Sequence, residues 1–169
     1  MIIKAGIQYA QVLSEMGTET FVDAHKDSAP AKEIDTYLKV KYSLPAIIRE
    51  LSDSKNIYQL IKFENKIAGF SKMMLNSKHP GIHEQNVAKI DQIYLRHSFQ
   101  GLKLGAELLQ FNIELSKSND QAGMWLVVWV GNLKAISFYE KFGFMILSDG
   151  DFHLTSAHTN RCHIMFLKY

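Results

Sequence analysis

The sequence predicts a single mixed α/β (α+β) domain whose elements run in the order βααα-βββαβαββ. Three observations carry that reading. Apolar residues recur at helical spacing as far as Leu51 and then, from Ile57, at the alternating spacing of strands. The run Met124–Val130, "MWLVVWV", is apolar throughout, too short for a buried helix and rich in Val and Trp, which suits a central strand covered on both faces. The 169 residues, 47% hydrophobic and 21% charged, suffice for one sizeable core, and no repeat, low-complexity tract or linker divides them. Residues 1–169 therefore read as one domain.

The chain opens on a short strand, Ile2 to Ala5. Ala10, Leu13, Met16, Phe21 and Ala24 then recur at helical spacing, with Gly17 the weak point. Ile34, Tyr37, Leu38 and Lys41 mark a second helix, and Pro45 a break and restart, so two helices meet near Ser43. "IYQLIKFENKIAGFSKMML" holds two β-rich runs around Glu64 and Asn65, a hairpin signal. The turn-rich loop "NSKHPGIHEQN" leads into the strand "VAKIDQIYL". In "GLKLGAELLQFNIELSK", Leu104, Leu108, Phe111 and Leu115 share one helical face. After "MWLVVWV" a helix runs from Asn132, a good N-cap, to Gly143, a good C-cap, aligning Ala135, Phe138, Tyr139 and Phe142. "FMIL" and "CHIMFLK" are short closing strands separated by a polar loop that holds Asp149, Gly150 and Asp151.

Several function classes are excluded or disfavoured by composition. A formal charge of only +2 provides no field that would select nucleic acid or an anionic membrane surface. Cys162 is the single cysteine, so no internal disulfide forms, and a reducing compartment and an inert thiol are expected. The N-terminus lacks the pattern of a signal peptide, and no apolar run approaches the roughly 20 residues that cross a bilayer. The expectation is a soluble, cytoplasmic protein. No metal is expected: Pro80 and Gly81 separate His79 from His83, and His153, His158, Cys162 and His163 match no zinc spacing. Trp125 and Trp129 share a strand face, where core packing accounts for them better than an aromatic platform. Neither GxxxxGK[ST] nor GxGxxG follows a strand.

The chemistry is sought in "LRHSFQGLKLGA", between a strand and a helix. A helix that begins after a glycine-containing turn leaves its first N–H groups unpaired, and its dipole favours an anion there. Gln100, Gly101 and Gly105 thus suit either a phosphate cradle or an ordinary turn. With "IDQIYL" before it and "WLVVWVGNLKAISFYEKFGF" after it, the stretch resembles the acetyl-CoA-binding half of the GNAT N-acetyltransferase superfamily. The resemblance covers Ile90 to Phe144 and rests on Gln100-Gly101-Leu102-Lys103-Leu104-Gly105, on Asn132 and Ala135, and on Phe138-Tyr139 with Phe142-Gly143-Phe144. The N-terminal half looks like bacterial spermidine/spermine-type small-amine acetyltransferases. One departure stands out: Lys103 occupies the family's central turn glycine, so a requirement for positive φ would be violated there, whereas a helical lysine would be accommodated and would add a charge near the CoA phosphates.

The resemblance implies a central, mostly antiparallel, twisted sheet of six to seven strands with a splayed parallel pair, flanked by helices. It implies acetyl-CoA as co-substrate, with the strand Ile93, Tyr94 and Leu95 pairing with the pantetheine arm, an N–H near Leu95 polarising the thioester, and Gln100 to Ala106 holding the pyrophosphate. Tyr139 matches the general acid near the CoA sulfur and Asn132 a residue on the pantetheine side. Asp91, two residues before Ile93 and so on the same strand face, is the candidate base, with a structural carboxylate the equal alternative and Glu84 and Tyr94 behind it. The reading is direct acetyl transfer to a primary amine; the alternative is a non-catalytic CoA-binding module, for which Lys103 is the only support. The helices from Phe21 to Leu51 and the loop Asn76 to Asn86 should shape the acceptor pocket, with His153 in its lining and Glu33, Asp35, Glu50 and Glu84 available to attract a polycation. A homodimer is implied by resemblance alone.

Overall fold

The computed structural model describes residues 1–169. Seven strands, β1 Ile2–Lys4, β2 Asn56–Phe63, β3 Lys66–Met74, β4 Ala88–Leu95, β5 Gly123–Trp129, β6 Met145–Thr155 and β7 His158–Lys168, form one sheet in the order β1-β2-β3-β4-β5-β7-β6. All neighbours are antiparallel except β4 and β5. Helices α1 Ala10–His25, α2 Ala31–Lys41 and α3 Leu44–Ser52 cover one face, and α4 Leu104–Lys117 and α5 Leu133–Glu140 the other. Two cores result. Leu13, Met16, Phe21 and Tyr42 meet Tyr58 and Phe70 on the first face, while Leu109, Ile113 and Ile136 meet Met124, Leu126 and Met165 on the second.

Local sequence explains the joints. Glu64 (φ 47°) and Asn65 (φ 63°) both take left-handed backbone, as a two-residue hairpin of right-twisted strands requires. The Ser43 hydroxyl accepts the N–H of Ala46 and starts α3. At the end of α5, Gly143 (φ 88°) lets its own N–H reach the Glu140 carbonyl and that of Phe144 reach Tyr139. Gly17, a poor helix former inside α1, is where the Tyr42 ring packs: a Cβ there would lie 2.2 Å from Tyr42 Cδ1.

Two elements differ from the sequence expectation. The buried stripe of α4 comprises Leu104, Leu108, Leu109, Asn112, Ile113 and Ser116, leaving Phe111 exposed. Two buried polar residues displaced the expected face: Asn112 Nδ2 donates to Ser71 Oγ and the Leu108 carbonyl, and Tyr169 Oη donates to Ser116 Oγ. Asp149 to Asp151 do not form a loop. β6 runs through them, and the turn falls at Ser156 and Ala157. On this edge strand Asp149 accepts from His163 and Arg161 across the ladder, so acidic residues here are compatible with pairing.

Candidate active site

The parallel pair holds for only two registers, Ala88 with Met124 and Lys89 with Trp125. Beyond them β4 stays bound to β3 as far as Leu95, and β5 to β7 as far as Trp129, so each strand keeps an outer partner while a gap opens between them. Arg96 N–H donates to the Ala68 carbonyl at 2.9 Å. The alternation of an antiparallel ladder then turns the amides of Gln92 and Tyr94 to β3, and those of Ile93 and Leu95 to the gap.

Where β4 ends, the chain turns through Gln100–Lys103 into α4. Gly101 has φ 82° and nothing within 4 Å of a hypothetical Cβ. Lys103 is also left-handed, at φ 60° and ψ 6°. The turn does need positive φ at this residue, and the lysine adopts it; the helical alternative does not hold. As a result the N–H groups of Gly101, Leu102, Lys103, Leu104, Gly105 and Ala106 donate to no group of the chain, the first helical bond being Glu107 N–H to the Lys103 carbonyl at 3.1 Å. Six unmatched donors at the positive end of a 14-residue helix make a place that would favour an anion. Lys134 Nζ donates to Gln100 Oε1 at 2.8 Å and adds a cation at its rim.

α5 supplies Asn132 and Tyr139. Asn132 Oδ1 is committed to the helix cap, accepting Ala135 N–H at 3.1 Å. Tyr139 is buried with its ring edge-on to Phe138 and Phe144, at centroid distances of 5.3 and 5.7 Å. Its hydroxyl has no partner in the chain, and burial holds its proton well beyond the usual phenol range.

On the α1–α3 side of the gap lies an inner chamber of about 170 Å³. Phe21 and His25 of α1, Tyr37 of α2 and Trp129 of β5 wall it, with Lys89, Asp91, Gln92 and Tyr94 all facing it from β4. So many residues of one strand share a chamber because the β3–β4 register shifts at Lys72/Met73, with Gln92 opposite Lys72 and Ile90 opposite Met73. Asp91 is the extra residue of this bulge, which throws it onto the chamber side. Ile93 packs instead against the helices of the other face, so the expectation that Asp91 and Ile93 share a face fails there. Tyr37, Lys41 and Leu154 also line an outer chamber of about 530 Å³, which Arg49 and Glu50 of α3 border.

Beneath the chambers runs a chain of alternating charges. Glu50 pairs with Lys41 at 2.7 Å and Lys72 at 3.0 Å and accepts the Tyr58 hydroxyl. Asp91 pairs with Lys72 at 3.3 Å and Lys89 at 2.7 Å. Burial raises the pKa of Asp91, but Lys89 and Lys72 more than reverse this, leaving it below its ordinary value. His25 is stacked on Phe21 at 4.3 Å, and burial lowers it to about 4, so it is a neutral imidazole, with Nε2 3.3 Å from Tyr94 Oη. Gln92 is 7% exposed; its Nε2 donates to Tyr42 Oη at 2.9 Å, and its Oε1 has no donor.

The fold thus brings Asp91 and Tyr94 into one chamber and places Ile93, Leu95 and residues 100–106 along the gap and its end. Glu84, an alternative base on the sequence reading, is tied to Lys168 at 2.6 Å outside the chambers, and His153, expected in the pocket lining, is exposed, bonded to Thr159 and borders neither chamber. Trp125 is core, its Nε1 donating to the Ser77 carbonyl, whereas Trp129 walls the chamber. His25, Tyr37, Lys72, Lys89 and Gln92 were missed by sequence reasoning. Lys72, Lys89 and Gln92 left a trace, as polar residues inside largely apolar strands. No helix is long and apolar enough to cross a membrane, and no three His, Cys, Asp or Glu cluster to hold a metal.

Comparison with known proteins adds to this geometry. Residues 18–144 match the acetyltransferase (GNAT) family. An N-acetyltransferase encoded in the pepI 3' region of Lactobacillus delbrueckii subsp. lactis is 28% identical over 137 residues, 80% of this chain and 79% of that one. The PaiA N-acetyltransferase of Thermoplasma acidophilum, solved with coenzyme A, superposes with a TM-score of 0.82 at 21% identity over 100% of this chain and 98% of that one. A GCN5-related N-acetyltransferase from Rhodopseudomonas palustris superposes with a TM-score of 0.79 at 12% identity, covering 100% and 95%.

Proposed function

The chain belongs to the GNAT acetyltransferase family, and from that premise we propose that it transfers acetyl directly from acetyl-CoA to the nitrogen of a primary amine, the two substrates meeting in the gap between β4 and β5. One observation carries this: the unmatched amides of residues 101–106 gather at one helix N-terminus, and the amides of Ile93 and Leu95 continue from it along the gap. That arrangement fits a ligand with a pyrophosphate at one end and a slender amide-bearing arm at the other. Gln100 to Ala106 hold the pyrophosphate, with the Lys103 and Lys134 ammonium groups beside it. The main chain of Ile93, Tyr94 and Leu95, and the Asn132 side chain, hold the arm.

Acetyl-CoA supplies an acyl carbon already activated as a thioester. The Leu95 N–H polarises its carbonyl, an interaction generally worth a few kcal/mol of barrier. The attacking nitrogen must be neutral, and it forms the new C–N bond as the C–S bond breaks. Tyr139 Oη, protonated and without a partner, delivers a proton to the departing sulfur and regains one from water before the next turnover. Asp91 is ionised and faces the acceptor, so it accepts the proton shed by nitrogen; its two lysines make it a weak base, and the proton passes on to water. An acyl-enzyme is disfavoured because burial pushes the Cys162 thiol up to about 11, leaving no thiolate to attack. Lys103 adopts the left-handed conformation of the turn, so the turn keeps its shape despite the lysine, which supports the catalytic reading over that of a non-catalytic module.

The test is thiol release from acetyl-CoA across a panel of amines, beside calorimetric CoA binding. Amine-dependent release is expected. Binding with no release from any amine would overturn the proposal.

A further inference from the structure

The acceptor chambers are poor in free negative charge. Of the carboxylates expected to draw a polycation, Glu50 is held by Lys41 and Lys72, Asp35 by Lys39 at 2.6 Å and Glu84 by Lys168, while Glu33, outside the lining, accepts the Thr155 hydroxyl. Asp91, the other carboxylate of the lining, is doubly paired. Three cations, Lys41, Lys89 and Arg49, line the two chambers against those two carboxylates, Glu50 and Asp91. The unmatched one is Arg49, an exposed residue of α3 that makes no ion pair and no hydrogen bond. At the inner end the surroundings differ. Phe21, Trp129 and Phe152 make an apolar wall, and Gln92, more than nine-tenths buried, presents a side-chain amide with one unmatched polar atom.

Resting on the transferase reading above, we propose that the acceptor is a primary amine that carries a carboxylate at the far end of a short apolar stem, not a polyamine. The amine enters the inner chamber beside Gln92 and Tyr94. The stem lies against the aromatic wall, and the carboxylate takes the Arg49 guanidinium in the outer chamber, where a planar fork of donors suits it. A diamine or polyamine would bring a second ammonium to the same place and meet Arg49 and Lys41 as like charges, with no carboxylate free to compensate.

The experiment compares acceptors of equal length that differ only in the far group: 5-aminopentanoate against 1,5-diaminopentane, with spermidine alongside, measured by CoA thiol release with the full chain and with Arg49→Glu. The amino acid is expected to be the better substrate by about tenfold or more in kcat/KM, the scale of one charge-assisted contact. Arg49→Glu should raise KM for the amino acid and invert the preference. Arg49 is exposed, and an unchanged melting temperature will confirm that the variant folds. Preference of the unaltered protein for the diamine or spermidine, or an unchanged ratio in Arg49→Glu, would overturn the inference while leaving the transferase reading intact. Absence of release with every amine, with CoA still bound, would overturn both.

Discussion

Lys72 Nζ lies 3.3 Å from Asp91 Oδ2, and the lysine is almost wholly buried below the chamber that Asp91 faces. The same ammonium holds Glu50, so one cation keeps two partly buried carboxylates from repelling each other. Lys72→Met should therefore cost about 3 kcal/mol in urea unfolding, as breaking a buried pair from one side does. A loss below about 1 kcal/mol would mean the carboxylates have adequate partners without it.

His25 sets the acid side of the stability profile. Its folded pKa, about 4, lies below the ordinary value near 6.5, so the unfolded chain binds its proton first. Stability should fall as pH drops from about 6.5 to about 4, by about 3 kcal/mol in all. Asp91 and Glu50, whose pKa values are lowered, add their losses only below about pH 4. Unfolding measured across this range should show most of the upper slope disappear in His25→Gln, the remainder belonging to His79, which burial and Lys89 also lower; persistence of the full slope would assign it elsewhere.

Lys103 holds a backbone conformation that disfavours any side chain. Lys103→Gly should stabilise the protein by ~1 kcal/mol, a rise of roughly 2–4 °C in Tm. Gly101→Ala should do the reverse, through φ alone, since its Cβ would meet nothing. Melting curves of the pair decide whether the turn is strained where the dihedral angles place it.

Tyr139→Phe removes a hydroxyl that no group of the chain uses. Stability and CoA affinity should stay as they are, while kcat falls about a hundredfold, the usual contribution of a positioned proton donor. A kcat that survives the change would remove Tyr139 from the reaction.

Gly17→Ala reverses the usual rule for helices. Elsewhere such a change gains up to ~1 kcal/mol. Here the new methyl would overlap the Tyr42 ring, so a net loss of about 1–3 kcal/mol in chemical denaturation is expected.

The order of elements was legible because periodicity reports which face of each is buried, and most boundaries carry their own markers: Ser43 and Pro45 between α2 and α3, Glu64-Asn65 in the hairpin, Asn132 and Gly143 around α5. The turn that we propose for the donor was legible for a similar reason. It is built from consecutive residues, Gln100 to Ala106, and local sequence determines local backbone. The α4 face was misjudged because Asn112 and Ser116 are polar and buried, and hydrophobicity cannot see a partner such as Ser71 or Tyr169. The inner chamber, where we place the acceptor, was hidden for a different reason. His25, Gln92 and Trp129 come from three elements distant in sequence and meet only through the sheet order. Asp91 pointed the wrong way on paper because a one-residue bulge breaks the alternation that a strand pattern assumes.

That bulge also divides labour between two kinds of information. Along its edge β4 offers Ile93 and Leu95 through the main chain, which is the same whatever side chain is attached; on its face it offers Lys89, Asp91, Gln92 and Tyr94, whose chemistry is nothing but side chain. A point mutation can rewrite the second set without altering the first. Under the function proposed above, the strand would permit one partner in the reaction to be exchanged over evolutionary time while the other is kept, because the kept partner would be read by main-chain atoms.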